Sequence, residues 1–322
     1  MKIKTILSLM LCLSLTVGLC ACNTDKRNNK IRIAVIAKSE SSDFWHAVKK
    51  GVDTAATEYN VDVTFEGPEN EEDYITQNSM IERAAKNGTD VIVLSAINYY
   101  LSADIVNKAA RNGVKIVTID SAVDSSNVSL FIGTDNIAAG RAAGKAATDG
   151  FSHNSEIYIG LVNYYESSDN GIQREKGFRE YISNIPNARI VAGINVDSNT
   201  ESAQEGAVSL LNDYPQINVL VGFNEWMTLG VGNAIKELSL SDKVIGVGFD
   251  TNTVSVGMVE TGEMDALIVQ NPFAMGYLGV MNAAKLAAGE AVDEGPVYTE
   301  VTTVNRENLF DEDIQKILFR FG

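Results

Sequence analysis

The chain has 322 residues, 45% of them hydrophobic and 7% aromatic, with 42 acidic against 26 basic side chains and a formal net charge of −16. That length exceeds one typical domain and allows two lobes, each with its own core. The acidic balance argues against nucleic acid as a partner, because phosphate binding needs a basic face. Cys12, Cys20 and Cys22 are the three cysteines, and all fall in the opening segment. The rest of the chain therefore has no disulfide framework, no cysteine-based metal site and no cysteine nucleophile.

That opening segment reads as an export signal. Lys2 and Lys4 precede the uncharged apolar run "TILSLMLCLSLTVGLCAC", the shape of a charged n-region followed by an h-region. The run ends in Leu19-Cys20-Ala21-Cys22, which resembles the bacterial lipobox. The resemblance implies a signal peptide over 1–22, cleavage before Cys22 and a diacylglycerol on its sulfur. The alternative is an uncleaved anchor, since the run nearly reaches spanning length. Either way the remainder is expected to be extracytoplasmic and held at the membrane. Residues 23–30, "NTDKRNNK", are polar and read as a flexible tether.

From residue 31 the pattern alternates. Short β-rich apolar runs cover 31–37, 61–66, 91–95, 115–119 and 129–133, with helical stretches at 43–59, 72–87 and 102–112 between them. "KNG" (86–88) and "RNG" (111–113) are helix stops, with a cation in the last turn and Gly after it. A second series follows, with strands at 156–160, 189–195, 218–221, 244–248 and 266–270. Its helices are at 136–150, 171–183, 200–214, 227–237, 253–260 and 272–288. Strand, helix, strand, repeated, implies parallel sheets covered on both faces. The fold class is therefore α/β, with two doubly wound parallel-sheet lobes.

In such sheets ligands bind outside the carboxyl ends of the strands. The residues there are Lys38 to Trp45 after the first strand, Asp120 after "VKIVTI", and Phe223, Asn224 and Glu225 after "INVLVG". Phe249 and Asp250 follow "KVIGVG", Gln270 follows "DALIV", and Arg174 lies near a helix start. Amide, carboxylate and guanidinium groups with aromatics suit a carbohydrate. Its hydroxyls donate and accept together, and its C–H faces stack on rings. Phe44 and Trp45 are adjacent at a helix start, and neighbours do not share a helix face. At least one of them is expected to form a platform for a sugar ring; the alternative is packing for both.

These residues, with Gly51, "TID" ending at Asp120, "GTDNIAAGRAAG" (133–144), "REKGF" (174–178), "NEWMTLG" (224–230), "VGFD" (247–250) and Gln270-Asn-Pro, resemble the ribose-binding group of type I periplasmic binding proteins. Those are the solute receptors of sugar ABC transporters. The resemblance covers about 31 to 305 and implies two lobes joined by a three-strand hinge: 30–133 plus 271–298, and 134–270 plus 299–322. It implies ligand contacts from Lys38, Ser42, Phe44, Trp45, Asp120, Arg174, Asn224, Asp250 and Gln270. Lys38 stands where a small hydroxyl residue is usual, Ser42 replaces an asparagine, Ser121 replaces an arginine, and Ser198 stands near an aromatic position. Lys38 with Arg174 would suit a more anionic or more hydroxylated ligand; alternatively Lys38 pairs with Asp120, Asp250 or Glu225.

The function implied is capture of a monosaccharide or related polyol and its delivery to an ABC permease, by a monomer with no cofactor and no metal. The alternatives are presentation of bound sugar to a membrane sensor kinase, or a glycoside-active enzyme with two cleft carboxylates. For an enzyme the signals are poor. His46 and His153 are the two histidines, and neither has a metal-ligand neighbour at i+4 or a serine elbow. A DNA-binding repressor would carry a basic helix-turn-helix where this chain has its export signal.

Overall fold

The computed structural model describes residues 30–152 and 154–318. The signal segment 1–22 with Cys22, nearly all of the tether 23–30, His153 and residues 319–322 lie outside the described residues. Ile31–Gly322 is one compact unit that contains two α/β lobes. Among the described residues no helix is long and apolar enough to cross a membrane.

The first lobe is built on β1 (Arg32–Ile36), β2 (Asp62–Glu66), β3 (Val91–Leu94), β4 (Lys115–Ile119) and β5 (Val128–Gly133). Between these strands run α1 (Asp43–Glu58), α2 (Tyr74–Lys86) and α3 (Ala103–Arg111). The second lobe takes β6 (Ile157–Asn163), β7 (Ala188–Asn195), β8 (Val219–Gly222), β9 (Ile245–Phe249) and β10 (Ala266–Val269). Its helices are α4 (Asn136–Thr148), α5 (Asp169–Ile182), α6 (Thr200–Asp213), α7 (Glu225–Glu237) and α8 (Thr253–Thr261). Helix α9 (Pro272–Ala288) returns to the first lobe, β11 (Val297–Tyr298) joins its sheet, and β12 (Thr302–Asn305) and α10 (Glu312–Leu318) close the described chain.

Strand order is β11-β5-β4-β3-β1-β2 in one sheet and β12-β10-β9-β8-β6-β7 in the other. All pairings are parallel except β10 with β12. Both lobes thus share one order, in which the first strand lies between the second and third. The switch point of each sheet faces the same cleft. The chain passes between the sheets three times: after β5, after β10 and after β11.

The strand runs are apolar on both faces because both faces are covered. Ile33, Val35 and Ala37 pack with α1 and α9, through Val48, Val52, Met275 and Val280. Ala34 and Ile36, one residue out of phase, pack with Ile81, Ala84, Val106 and Ala109 of α2 and α3. Glycines set the closest helix pairs. A Cβ on Gly51 would strike the Phe273 carbonyl, and one on Gly276 the Val48 carbonyl. In the second lobe a Cβ on Gly140 would strike the Arg174 carbonyl and one on Gly177 the Ile137 carbonyl. Helices α4 and α5 therefore touch backbone to backbone at the level of Arg174.

Strands β11 and β12 and helix α10 have no counterpart in the sequence reading. Two- and four-residue strands are too short to display a period. Helices α5 and α7 begin two residues before the expected starts, at Asp169 and Glu225 rather than 171 and 227. For α7 the reason is the cap: Asn224 accepts from the Met227 N–H at 2.9 Å and starts the helix.

Candidate functional site

All nine residues singled out in the sequence line one cavity between the lobes, together with Glu71, Tyr164, Asn170, Glu225 and Trp226. Two of the nine are helix caps. Ser42 accepts from the Trp45 N–H at 3.3 Å and starts α1, and Asn224 starts α7. Both helix N-termini therefore open on the cavity, with their positive dipole ends toward it.

Asp120 and Asp250 hold equivalent positions. Each follows the fourth strand of its lobe, and each backbone N–H donates to the neighbouring strand, at Ile132 and Ile268 respectively, at 3.0 Å. Each has left-handed φ, 57° and 66°, which Asp tolerates better than most residues. The turn aims both carboxylates back into the cleft. Asp120 accepts from Ser95 Oγ at 2.9 Å and from Asn170 Nδ2 at 3.1 and 3.2 Å. Asp250 accepts from Gln270 Nε2 at 2.5 Å and lies 4.0 Å from Arg174 Nη1. Burial pushes the Asp250 carboxyl up, and Arg174 opposes that shift.

Arg174 is 1% exposed. Its Nε donates to Asn136 Oδ1 and its Nη1 to the Phe223 carbonyl, both at 2.8 Å. Its guanidinium carbon lies 4.7 Å from the Phe249 ring centroid. Its Nη2 is buried with no hydrogen-bond partner. Leaving a buried charged donor unpaired is costly, so this atom marks where a ligand acceptor belongs.

Lys38, 2% exposed, reaches across the cleft. Its Nζ donates to Ser168 Oγ at 2.9 Å and Asn170 Oδ1 at 3.0 Å, and pairs with Asp120 at 3.6 Å. Of its expected carboxylate partners the structure selects Asp120. An ammonium has three donors; Ser168 and Asn170 take two of them, and Asp120 faces the charge as an ion-pair partner. Further ties join the lobes: Asn98 Nδ2 to Tyr165 OH at 2.9 Å, Tyr99 N–H to the Ser167 carbonyl at 2.9 Å, and Phe44 N–H to Glu225 Oε2 at 3.4 Å. The Ser198 N–H donates to Glu72. The lobes are closed on each other.

Phe44 and Trp45 meet edge to face, with centroids 5.0 Å apart and planes at 82°. Both line the cavity and both belong to the first lobe's core, so packing does not remove either ring from the cavity wall. Trp45 Nε1 donates to Glu71 Oε1 at 2.7 Å. Burial pushes the Glu71 carboxyl up, with Lys38 and the indole opposing. Burial also raises Glu225 to about 7, offset in part by Asn252, and raises the Tyr164 hydroxyl.

Four carboxyl groups line the cavity against two cations, and one of those cations, Lys38, is internally paired. The surplus of acceptors suits a ligand rich in hydroxyl donors and disfavours an anion. Among the described residues no group of His, Cys, Asp and Glu is arranged to hold a metal ion. Glu71 escaped the sequence reading because it comes from a loop, where neither period nor strand end points to it, and Asn170 because it lies in the first turn of α5, ahead of the expected helix start at 171. Glu225 and Trp226 had a signal, since they directly follow Asn224.

The sequence profile of the periplasmic binding protein domain matches residues 33–291. The D-allose-binding periplasmic protein of Escherichia coli (strain K12) is 27% identical over 285 residues, 84% of this chain and 90% of that protein. A carbohydrate transporter solute binding protein from Agrobacterium radiobacter, solved in complex with D-arabinose, is 30% identical with a TM-score of 0.86, covering 90% of this chain and 99% of that one. A sugar transporter structure from Clostridium phytofermentans is 36% identical with a TM-score of 0.78, covering 85% and 98%. With this fold, strand order and cleft, the chain belongs to the periplasmic binding protein family, whose members bind solutes and are not enzymes.

Proposed function

We propose that this chain is an extracytoplasmic solute receptor, lipid-anchored through Cys22, that captures a neutral monosaccharide or related polyol in the interlobe cleft and delivers it to an ABC permease. The observation that carries the reading is Arg174 Nη2, a buried charged donor without a partner, set in a cavity of carboxylates, amides and two aromatic rings. A sugar hydroxyl or ring oxygen supplies the missing acceptor, its hydroxyl hydrogens meet Asp120, Asp250 and Gln270, and its C–H face lies on Phe44 or Trp45. The D-arabinose complex of the Agrobacterium protein and the D-allose named for the Escherichia coli protein support a neutral monosaccharide.

The moving bodies are 30–133 plus 271–298 and 134–270 plus 299–322, with the three crossings as hinges. A ligand touching both favours the closed state through those differential contacts. The test is a thermal-shift panel on residues 23–322 with pentoses, hexoses, inositols, uronates, phosphosugars and nucleosides. A neutral sugar at about a hundred times its Kd adds about 2.7 kcal/mol, a shift of several degrees. Stabilisation by uronates or phosphosugars alone would contradict the neutral-ligand reading. For the anchor, Cys22→Ser should move the protein from the detergent phase to the aqueous phase on phase partitioning.

A further inference from the structure

Glu71 stands in the loop between β2 and α2, inside the run Glu69-Asn70-Glu71-Glu72-Asp73. It lines the cavity, yet it differs from the other three carboxylates there. Asp120 takes Ser95 and Asn170, Glu225 takes the Phe44 N–H and Asn252 Nδ2, and Asp250 takes Gln270 and faces Arg174. Glu71 makes a single hydrogen bond among the described residues, from Trp45 Nε1 to Oε1 at 2.7 Å. A carboxylate offers about four acceptor sites, so Oε2 keeps its capacity. The indole that holds Oε1 is itself fixed against Phe44.

Glu72, the next residue, accepts from the Ser198 N–H of the other lobe. Ser198 Oγ in turn accepts from Asn224 Nδ2 at 3.0 Å. Two consecutive carboxylates of one loop thus serve different purposes. One meets the aromatic wall, and the other ties the loop to the opposite lobe, so the position of Glu71 is defined when the lobes are closed.

We propose that Glu71 is a specificity-determining residue: Oε2 accepts from one hydroxyl of the bound sugar while Oε1 orients the Trp45 platform. This role rests on the sugar-binding reading above. A carboxylate acceptor at one point of the wall selects for a hydroxyl at one ring position, and a sugar lacking that hydroxyl leaves the acceptor unpaired.

The experiment is calorimetric titration of the full chain in detergent with aldopentoses, aldohexoses, xylitol and the monodeoxy derivatives of the tightest binder. Glu71→Ala should weaken the parent sugar about tenfold or more, and one monodeoxy derivative, which shares only the loss of the indole contact, clearly less than the parent and the other derivatives. Trp45→Phe, which keeps a ring but removes the indole donor, should weaken parent and derivatives alike. If Glu71→Ala does not fold, Glu71→Gln keeps an acceptor for the indole and should show the same selectivity at smaller size. Parallel losses for every derivative in a chain that binds sugar would overturn this inference alone. Absence of binding by the wild-type chain would remove the sugar reading and this inference together.

Discussion

Replacing Glu225 with Gln should make the protein more stable at alkaline pH and change little in acid. The Glu225 carboxyl is raised from an ordinary 4.5 to about 7, chiefly by burial, with Asp250 adding to the shift and Asn252, the Phe44 N–H and Ser42 opposing it. Between about 4.5 and about 7 the folded chain holds a proton on this group that the unfolded chain releases. Stability therefore falls as pH rises through that window. At about 1.4 kcal/mol per pH unit, the loss is about 3 kcal/mol once the group is ionised. Gln mimics the protonated acid. Its oxygen still accepts from Asn252, a 2.9 Å bond, and the sacrifice is the longer 3.4 Å contact with the Phe44 N–H. Urea denaturation of both proteins at several pH values gives the difference directly. The two should be near equal at about pH 4.5 and the variant should lead by about 3 kcal/mol at about pH 8. A difference that stays flat across the window would refute burial as the cause of the shift.

Arg174→Ala should abolish sugar binding and also destabilise the chain. It strips the donors from Asn136 Oδ1 and the Phe223 carbonyl, at about 1–3 kcal/mol for each buried group left unpaired; calorimetry and denaturation read the two effects separately. Gly140→Ala pushes a Cβ against the Arg174 carbonyl, so it should cost about 1–3 kcal/mol as overpacking and weaken binding by displacing α5, measurable by the same two assays. Lys38→Met breaks a buried pair with Asp120 and should cost about 3–5 kcal/mol in urea denaturation. It should weaken all neutral sugars together, whereas loss confined to uronates would make Lys38 an anion reader.

The alternation of apolar runs and amphipathic stretches was enough to read five of the six strands of each sheet, because parallel strands buried on two faces leave continuous Val and Ile runs. The strand-end rule then brought nine residues to one cleft. It worked best where the turn itself is constrained, as at Asp120 and Asp250 with their left-handed backbone. Motif glycines such as Gly51, Gly140 and Gly177 proved to be helix contacts, a property that depends on which helices become neighbours. What stayed hidden depends on tertiary neighbours. Asn170 gains its role by facing Asp120 and Lys38 across the cleft, and Glu71 by facing an indole from α1. No local pattern encodes a partner 26 or 132 residues away. The charge of Lys38 suggested a more anionic or more hydroxylated ligand; in the fold two of its donors go to Ser168 and Asn170 and its charge faces Asp120.

Trp45 and Trp226, the chain's two tryptophans, both line the cavity, so the direct test is a fluorescence titration with neutral monosaccharides and xylitol, run in parallel on the wild-type chain and Arg174→Ala. The expected result is a saturable change with at least one neutral sugar in the wild type and none in the variant. Silence across all neutral sugars, or saturation that survives the loss of Arg174, would contradict a sugar site organised around that guanidinium.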